Sequence, residues 1–207
     1  MRDSQGMLRH LSACVVTLLL LCSPARAEGE YSPLRAFGID EIRLGGMKHN
    51  LESNRGKSGV GYTFAQEGGF DVNAEVLFNS PWPKPENPII DFLLRPRPML
   101  GATVSTQGDT SQIYLGAAWT LPLFDIFFVE GTFGGAVHDG PLTSTWPNFA
   151  EAYGCRVNFH ESASVGVALG QNWRVMGTIE HMSNGGLCQL NPGLTNYGAR
   201  LGYKFNP

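Results

Sequence analysis

His181 and Ser183 stand two residues apart in the stretch Arg174-Val-Met-Gly-Thr-Ile-Glu-His181-Met-Ser183-Asn184. In an extended chain alternate residues share a face, so this spacing sets an imidazole and a hydroxyl side by side. A hydrogen bond between them lets the ring take the hydroxyl proton while the oxygen attacks an ester carbonyl. The bland reading is an interfacial histidine and a loop serine at the wet end of a strand. What sets the pair apart is parity. Val175, Gly177 and Ile179 fall on the same face as His181 and Ser183, so two polar groups stand on an otherwise apolar side. Asn184-Gly185-Gly186 follows, a turn-forming run whose bare backbone could offer amides to an oxyanion or could simply make the turn.

Such a pair needs a strand, and the chain supplies several. Period-2 segments recur at roughly 40–48, 70–79, 99–106, 112–121, 125–137, 160–169, 173–183 and 195–205, separated by turn chemistry. Phe70, Val72, Ala74, Val76 and Phe78 alternate with Asp71, Asn73 and Glu75. Phe127, Val129, Phe133 and Val137 alternate with Glu130, Thr132 and His138. A soluble barrel or sandwich would turn the apolar face inward, whereas an outer-membrane barrel turns it to lipid. The polar parity carries Arg43, Asp71, Glu75, Glu130, Arg174, Glu180 and Arg200, both signs of charge, which can pair inside a narrow lumen. Loops near 49–69, 138–159 and 184–194 are long while 122–124 and 170–172 are tight, the asymmetry of outer loops and periplasmic turns. The expected fold is therefore all-β, an eight-stranded antiparallel outer-membrane β-barrel spanning 28–207. The proline-rich connector 80–98 is too long for a periplasmic turn, and its prolines keep it out of the sheet.

Composition agrees. The 207 residues are 43% hydrophobic and 16% charged, with 26 glycines and a net charge of -3, so nothing suggests disorder or a basic footprint for nucleic acid. A mean hydropathy of -0.10 looks soluble, because lipid-facing and lumen-facing residues cancel in the average. Residues 1–27 read as a cleaved signal peptide. Arg2 and Arg9 precede the apolar run Leu11–Cys22, and Ala25-Arg26-Ala27 offers the cleavage site. No later stretch is long and apolar enough for a membrane helix. Cys155 and Cys188 then remain as an even pair in an exported chain, and a disulfide is the default reading. The histidines are scattered and no metal or cofactor motif stands out. Gly134-Gly135 lies within a strand, where it relieves curvature rather than cradling phosphate.

The block from His181 to Gly193, followed by Asn196-Tyr-Gly198-x-Arg200-Leu-Gly-Tyr203, resembles the PagL-type lipid A 3-O-deacylase family. The likeness is strongest over about 160–205. It implies an outer-membrane enzyme acting on lipid A of lipopolysaccharide in the outer leaflet, through a Ser-His-Glu triad on the lipid-facing wall and without a cofactor. It makes Ser183 the nucleophile, His181 the base and Asn191 an oxyanion-stabilising residue; Asn184 and Gly185 are oxyanion candidates from the turn-forming run alone. Where the family has its Glu, this chain has Thr195. A threonine can orient an imidazole but brings no charge to stabilise the imidazolium.

A substitute acid is available. If 170–172 is a three-residue turn, Leu169 pairs with Trp173 and Glu161 comes to lie opposite His181, with Cβ atoms about 4.5–5.5 Å apart. Removing Glu161 is then expected to end hydrolysis while the barrel still folds. A one-residue slip would turn Glu161 inward instead. Two other readings stay open: a catalytically silent barrel that binds lipid or a partner, favoured by Thr195, and a soluble lipocalin-like barrel. Whether two barrels pair as a homodimer is also open.

Overall fold

In the second of the alternating segments, Asp71, Asn73 and Glu75 are buried while Phe70 and Val72 are exposed. The same inversion runs around the wall: charged and polar side chains, joined by Met47, Leu77, Met99 and Met176, fill the inside, and most large apolar ones face out. The computed structural model describes residues 38–51, 64–65, 67–143 and 149–205. The signal-peptide reading lies outside those residues.

The strands are β1 (Ile39–His49), β2 (Phe64–Ala65), β3 (Gly69–Phe78), β4 (Arg97–Ser105), β5 (Gln112–Leu123), β6 (Phe127–His138), β7 (Phe149–Ala150), β8 (Val157–Leu169), β9 (Trp173–Ser183) and β10 (Leu194–Lys204). Eight of them close a barrel in the order β1-β10-β9-β8-β6-β5-β4-β3, every neighbour antiparallel. β2 and β7 form a small parallel pair between two loops. Closure leaves no free sheet edge, which is what a strand surrounded by lipid requires. Gly134 permits a close approach of β5 and β6, since a Cβ there would come within 2.6 Å of the Gly116 Cα.

Two boundaries differ from the sequence reading. The tight turn expected at 122–124 falls at 124–126, because β5 continues through Pro122 to Leu123. Likewise Pro98 lies inside β4 rather than in the connector. The reason is the same in both places. Pairing of β4 with β5 ends at Arg97↔Ala118, and pairing of β3 with β4 at Leu77↔Met99, so each proline sits where one side of its strand has no partner to receive an N–H. The connector also holds a helix that the alternation did not show, α1 (Pro88–Leu94). Asn87 caps it by accepting the amides of Ile89 and Ile90, and a proline opens its first turn.

The lumen is an ionic core. The fully buried Arg43 guanidinium meets Glu41 at 2.7 Å, Glu75 at 3.3 Å and both oxygens of Glu130 at 2.5 and 2.8 Å. Arg97 adds Asp40, Glu41 and Glu130. Higher up, Arg200 bonds Glu180 at 2.8 Å and Asn73 at 2.7 Å, and Tyr114 donates to Glu75 at 2.9 Å. Most of these carboxylates come from different strands, so the pairs work as cross-braces. Arg43→Met removes the cation from three buried acids and is expected to cost about 3–5 kcal/mol, read as a lower urea midpoint of the detergent-folded barrel.

β1 begins and β10 ends at one rim. That rim carries the 124–126 and 170–172 turns and the α1 connector, and the opposite rim carries the long loops. Long loops mark the extracellular side of an outer-membrane barrel. The C-terminal end of β9 lies at the long-loop rim, the extracellular one on the reading made from the sequence.

Candidate active site

β9 runs up to that rim with Trp173, Val175, Gly177 and Ile179 outward, so parity also sends His181 and Ser183 outward. The three-residue turn at 170–172 pins the register of β8 on β9, and Glu161 stands opposite His181. On the other flank β10 begins at Leu194, which sets Thr195 opposite His181. One row thus crosses three strands on the outer wall: Glu161, His181, Thr195. One step nearer the rim, Ser183 pairs with Phe159. These polar side chains are half-buried, within an apolar surround of Phe133, Val157, Ile179 and Tyr197.

The imidazole is held on two sides. Its Nδ1 shares a 2.8 Å hydrogen bond with the Thr195 hydroxyl. Its Cε1–Nε2 edge lies over Gly193, where an added Cβ would come within 2.6 Å of Cε1 and 3.1 Å of Nε2. Gly193 also has a φ of +73°, a conformation that side chains resist. Gly193→Ala is therefore expected to displace the ring and lower any activity at least tenfold, with heat-modifiable migration showing a barrel still folded. Among the described residues, no hydrogen bond joins His181 to Ser183 or to Glu161. In a neighbouring-position pair of a strand the two Cα atoms lie about 6.6 Å apart, so the serine rotamer decides the contact.

The loop after Ser183 is braced by Asn184. Its side-chain nitrogen donates to the carbonyls of Tyr153 at 2.9 Å and Leu190 at 2.6 Å. Its side-chain oxygen accepts the Gly186 amide at 2.9 Å, and its own backbone amide donates to Asn191 Oδ1 at 2.8 Å. Gly185 and Gly186 take positive φ values of 61° and 82° to make the turn. Cys155 and Cys188 are joined as a disulfide with Cα atoms 5.9 Å apart, tying the two loops that flank Ser183.

Tyr153 was not singled out by the sequence, although it neighbours Gly154 and Cys155. It is buried, and its hydroxyl donates to Glu67 at 2.9 Å. Glu67 also takes bonds from Thr110 and His49. Burial alone would raise the Glu67 carboxyl, but these bonds outweigh it and hold the group below the usual carboxylate range. Three loops are thus fastened to one another at the same rim, and Asn184 joins the loop after Ser183 to them through the Tyr153 carbonyl. Among the described residues, no group of three or more His, Cys, Asp or Glu side chains is arranged to hold a metal ion. His49, His138 and His160 are all buried, paired or packed within the barrel.

The crystal structure of the outer membrane enzyme PagL superposes with a TM-score of 0.53 at 16% identity, covering 80% of this chain and 99% of that one. Two structures of Ail from Yersinia pestis, one in a phospholipid bilayer nanodisc, give TM-scores of 0.43 and 0.41 at 13% and 12% identity, each covering 81% of this chain and 99% of the other. No curated protein sequence matches. The family described as Lipid A 3-O-deacylase (PagL) matches residues 100–204, which contain β5 to β10, the His181–Ser183 pair and the braced loop, and the chain belongs to that family of outer-membrane barrels.

Proposed function

We propose that the chain is an esterase that removes the ester-linked acyl chain at the 3-position of lipid A. The observation that carries this reading is the polar row Glu161, His181, Thr195 beside Ser183, on the apolar outer wall at the extracellular rim. Lipid A occupies the outer leaflet, so its acyl ester reaches such a wall sideways without entering the lumen.

In this reading Ser183 Oγ attacks the ester carbonyl carbon and His181 Nε2 takes its proton. Thr195 holds Nδ1, fixing the ring orientation. The oxyanion is received by the Asn191 side-chain nitrogen, whose partner oxygen is already anchored on the Asn184 amide, and by the Gly185 amide. Asn184 has given its own donors to the loop and acts by shaping it. The tetrahedral adduct collapses and the sugar oxygen leaves with the proton from His181. Water, activated by the same ring, then releases the fatty acid. Glu161 lends negative charge to the imidazolium from the opposite strand.

A silent barrel is the competing reading, and Thr195 is the observation in its favour. Mass spectrometry of lipid A from cells with and without the chain separates the two. Loss of one acyl chain, with the 3-hydroxyl left free, supports the esterase; unchanged lipid A supports the silent barrel.

A further inference from the structure

The helix in the connector has its polarity turned inside out. Asp91, Phe92 and Arg95 face the periplasmic mouth of the barrel, where they line a cavity of about 510 Å³ with Asp40, Arg97 and Lys204. Ile89, Ile90, Leu93 and Leu94 point the other way and are 68%, 44%, 56% and 65% exposed. At about 100° per residue these four share one arc of the helix. A helix capping an aqueous mouth would bury that stripe and show its charges. This one does the reverse.

The neighbours say which surface the stripe belongs to. Trp119, on the lipid-facing parity of β5, donates its indole N–H to the Leu93 carbonyl at 3.2 Å. The helix is thereby clipped to the outside of the wall, roughly 10 Å above the end of β5. Leu121 and Leu123 continue the same wall below it, and Phe124 at the turn is 90% exposed. An Asp91–Arg95 pair at 2.6 Å and a bond from Arg95 to the Trp82 carbonyl at 2.9 Å keep the charged side tucked in. Trp82 itself is exposed on the segment leading into the helix.

We propose that residues 80–96 form an interfacial anchor, with the apolar face of α1 embedded in the periplasm-facing leaflet and covered by phospholipid acyl chains. The stripe is continuous with the lipid-facing wall, and a short amphipathic helix with flanking tryptophan suits the headgroup boundary. The anchor lies on one side of the barrel, against β5, and so fixes its depth and tilt from below. The proposal rests on the membrane placement of the barrel and not on its chemistry.

The test uses the full chain, with Cys14 and Cys22 replaced by serine so that no other free thiol takes a label, reconstituted in phosphatidylethanolamine–phosphatidylglycerol vesicles. Nitroxide labels are placed through Ile89→Cys, Leu93→Cys and, as a control, Glu86→Cys, with heat-modifiable migration confirming that each variant is folded. Labels at 89 and 93 should be relaxed by oxygen and be several-fold less accessible to a water-soluble nickel chelate than the label at 86. Equal nickel access at the three positions would overturn the anchor. So would dipolar broadening at 89 and 93 that disappears on dilution with unlabelled chain, because a second copy would then cover the stripe.

Discussion

Ser183→Ala and His181→Ala are each expected to lower removal of the lipid A acyl chain by on the order of 10²-fold or more, because a complete triad acting as a unit loses about 10⁶-fold and a chain without the acid already lacks up to about 10⁴ of that. The two groups share one proton transfer, so the double variant should be no worse than either single one. Two losses that instead multiply would mean the residues act separately, contrary to the mechanism. Neither change touches the lumen. Both side chains face outward from a wall held by cross-strand pairs and buried ion pairs, so heat-modifiable migration should match that of the parent chain. Quantifying released fatty acid and intact lipid A by mass spectrometry checks both halves of the expectation.

Thr195→Glu is expected to accelerate the reaction. The hydroxyl of Thr195 already lies 2.8 Å from His181 Nδ1, so a carboxylate there would meet the same nitrogen. Loss of a triad acid costs on the order of 10⁴-fold in serine hydrolases, which sets the ceiling of the gain. Glu161 decides how much of that ceiling remains. Because Thr195 occupies Nδ1, Glu161 acts on the ring through charge alone, worth roughly 1–2 kcal/mol at a half-exposed site, or about tenfold. Glu161→Gln should therefore slow the parent chain about tenfold and slow the Thr195→Glu variant less. That is a gentler effect than the complete loss expected from the sequence, where Glu161 was the sole candidate for the acid. Equal effects of Glu161→Gln in both backgrounds would show that the two carboxylates do not share the imidazolium.

The alternation made the barrel legible, because a strand between lipid and a polar lumen must change character at every residue. The pairing of Glu161 with His181 was legible for a different reason. A three-residue turn leaves little freedom of register, so counting back from Leu169 and Trp173 reaches the site. The disulfide followed from having two cysteines beyond the expected cleavage site. Other features carried no local signal. Arg97 belongs to the lumen core, but it sits between Pro96 and Pro98 and reads as connector. α1 is seven residues long, too short for its period to stand out among prolines. Gly193 reads as one more turn glycine, and its packing beneath His181 depends on how β9 and β10 meet. The hydrogen bond from Tyr153 to Glu67 joins loops far apart in sequence.

The bore of this barrel is crossed by Arg43 and Arg200, each bound to carboxylates from other strands. An outer membrane protects a cell only while small solutes are kept from crossing it freely. A barrel that offers its outer wall to lipid, and closes its own axis with ion pairs, can be abundant without becoming a leak.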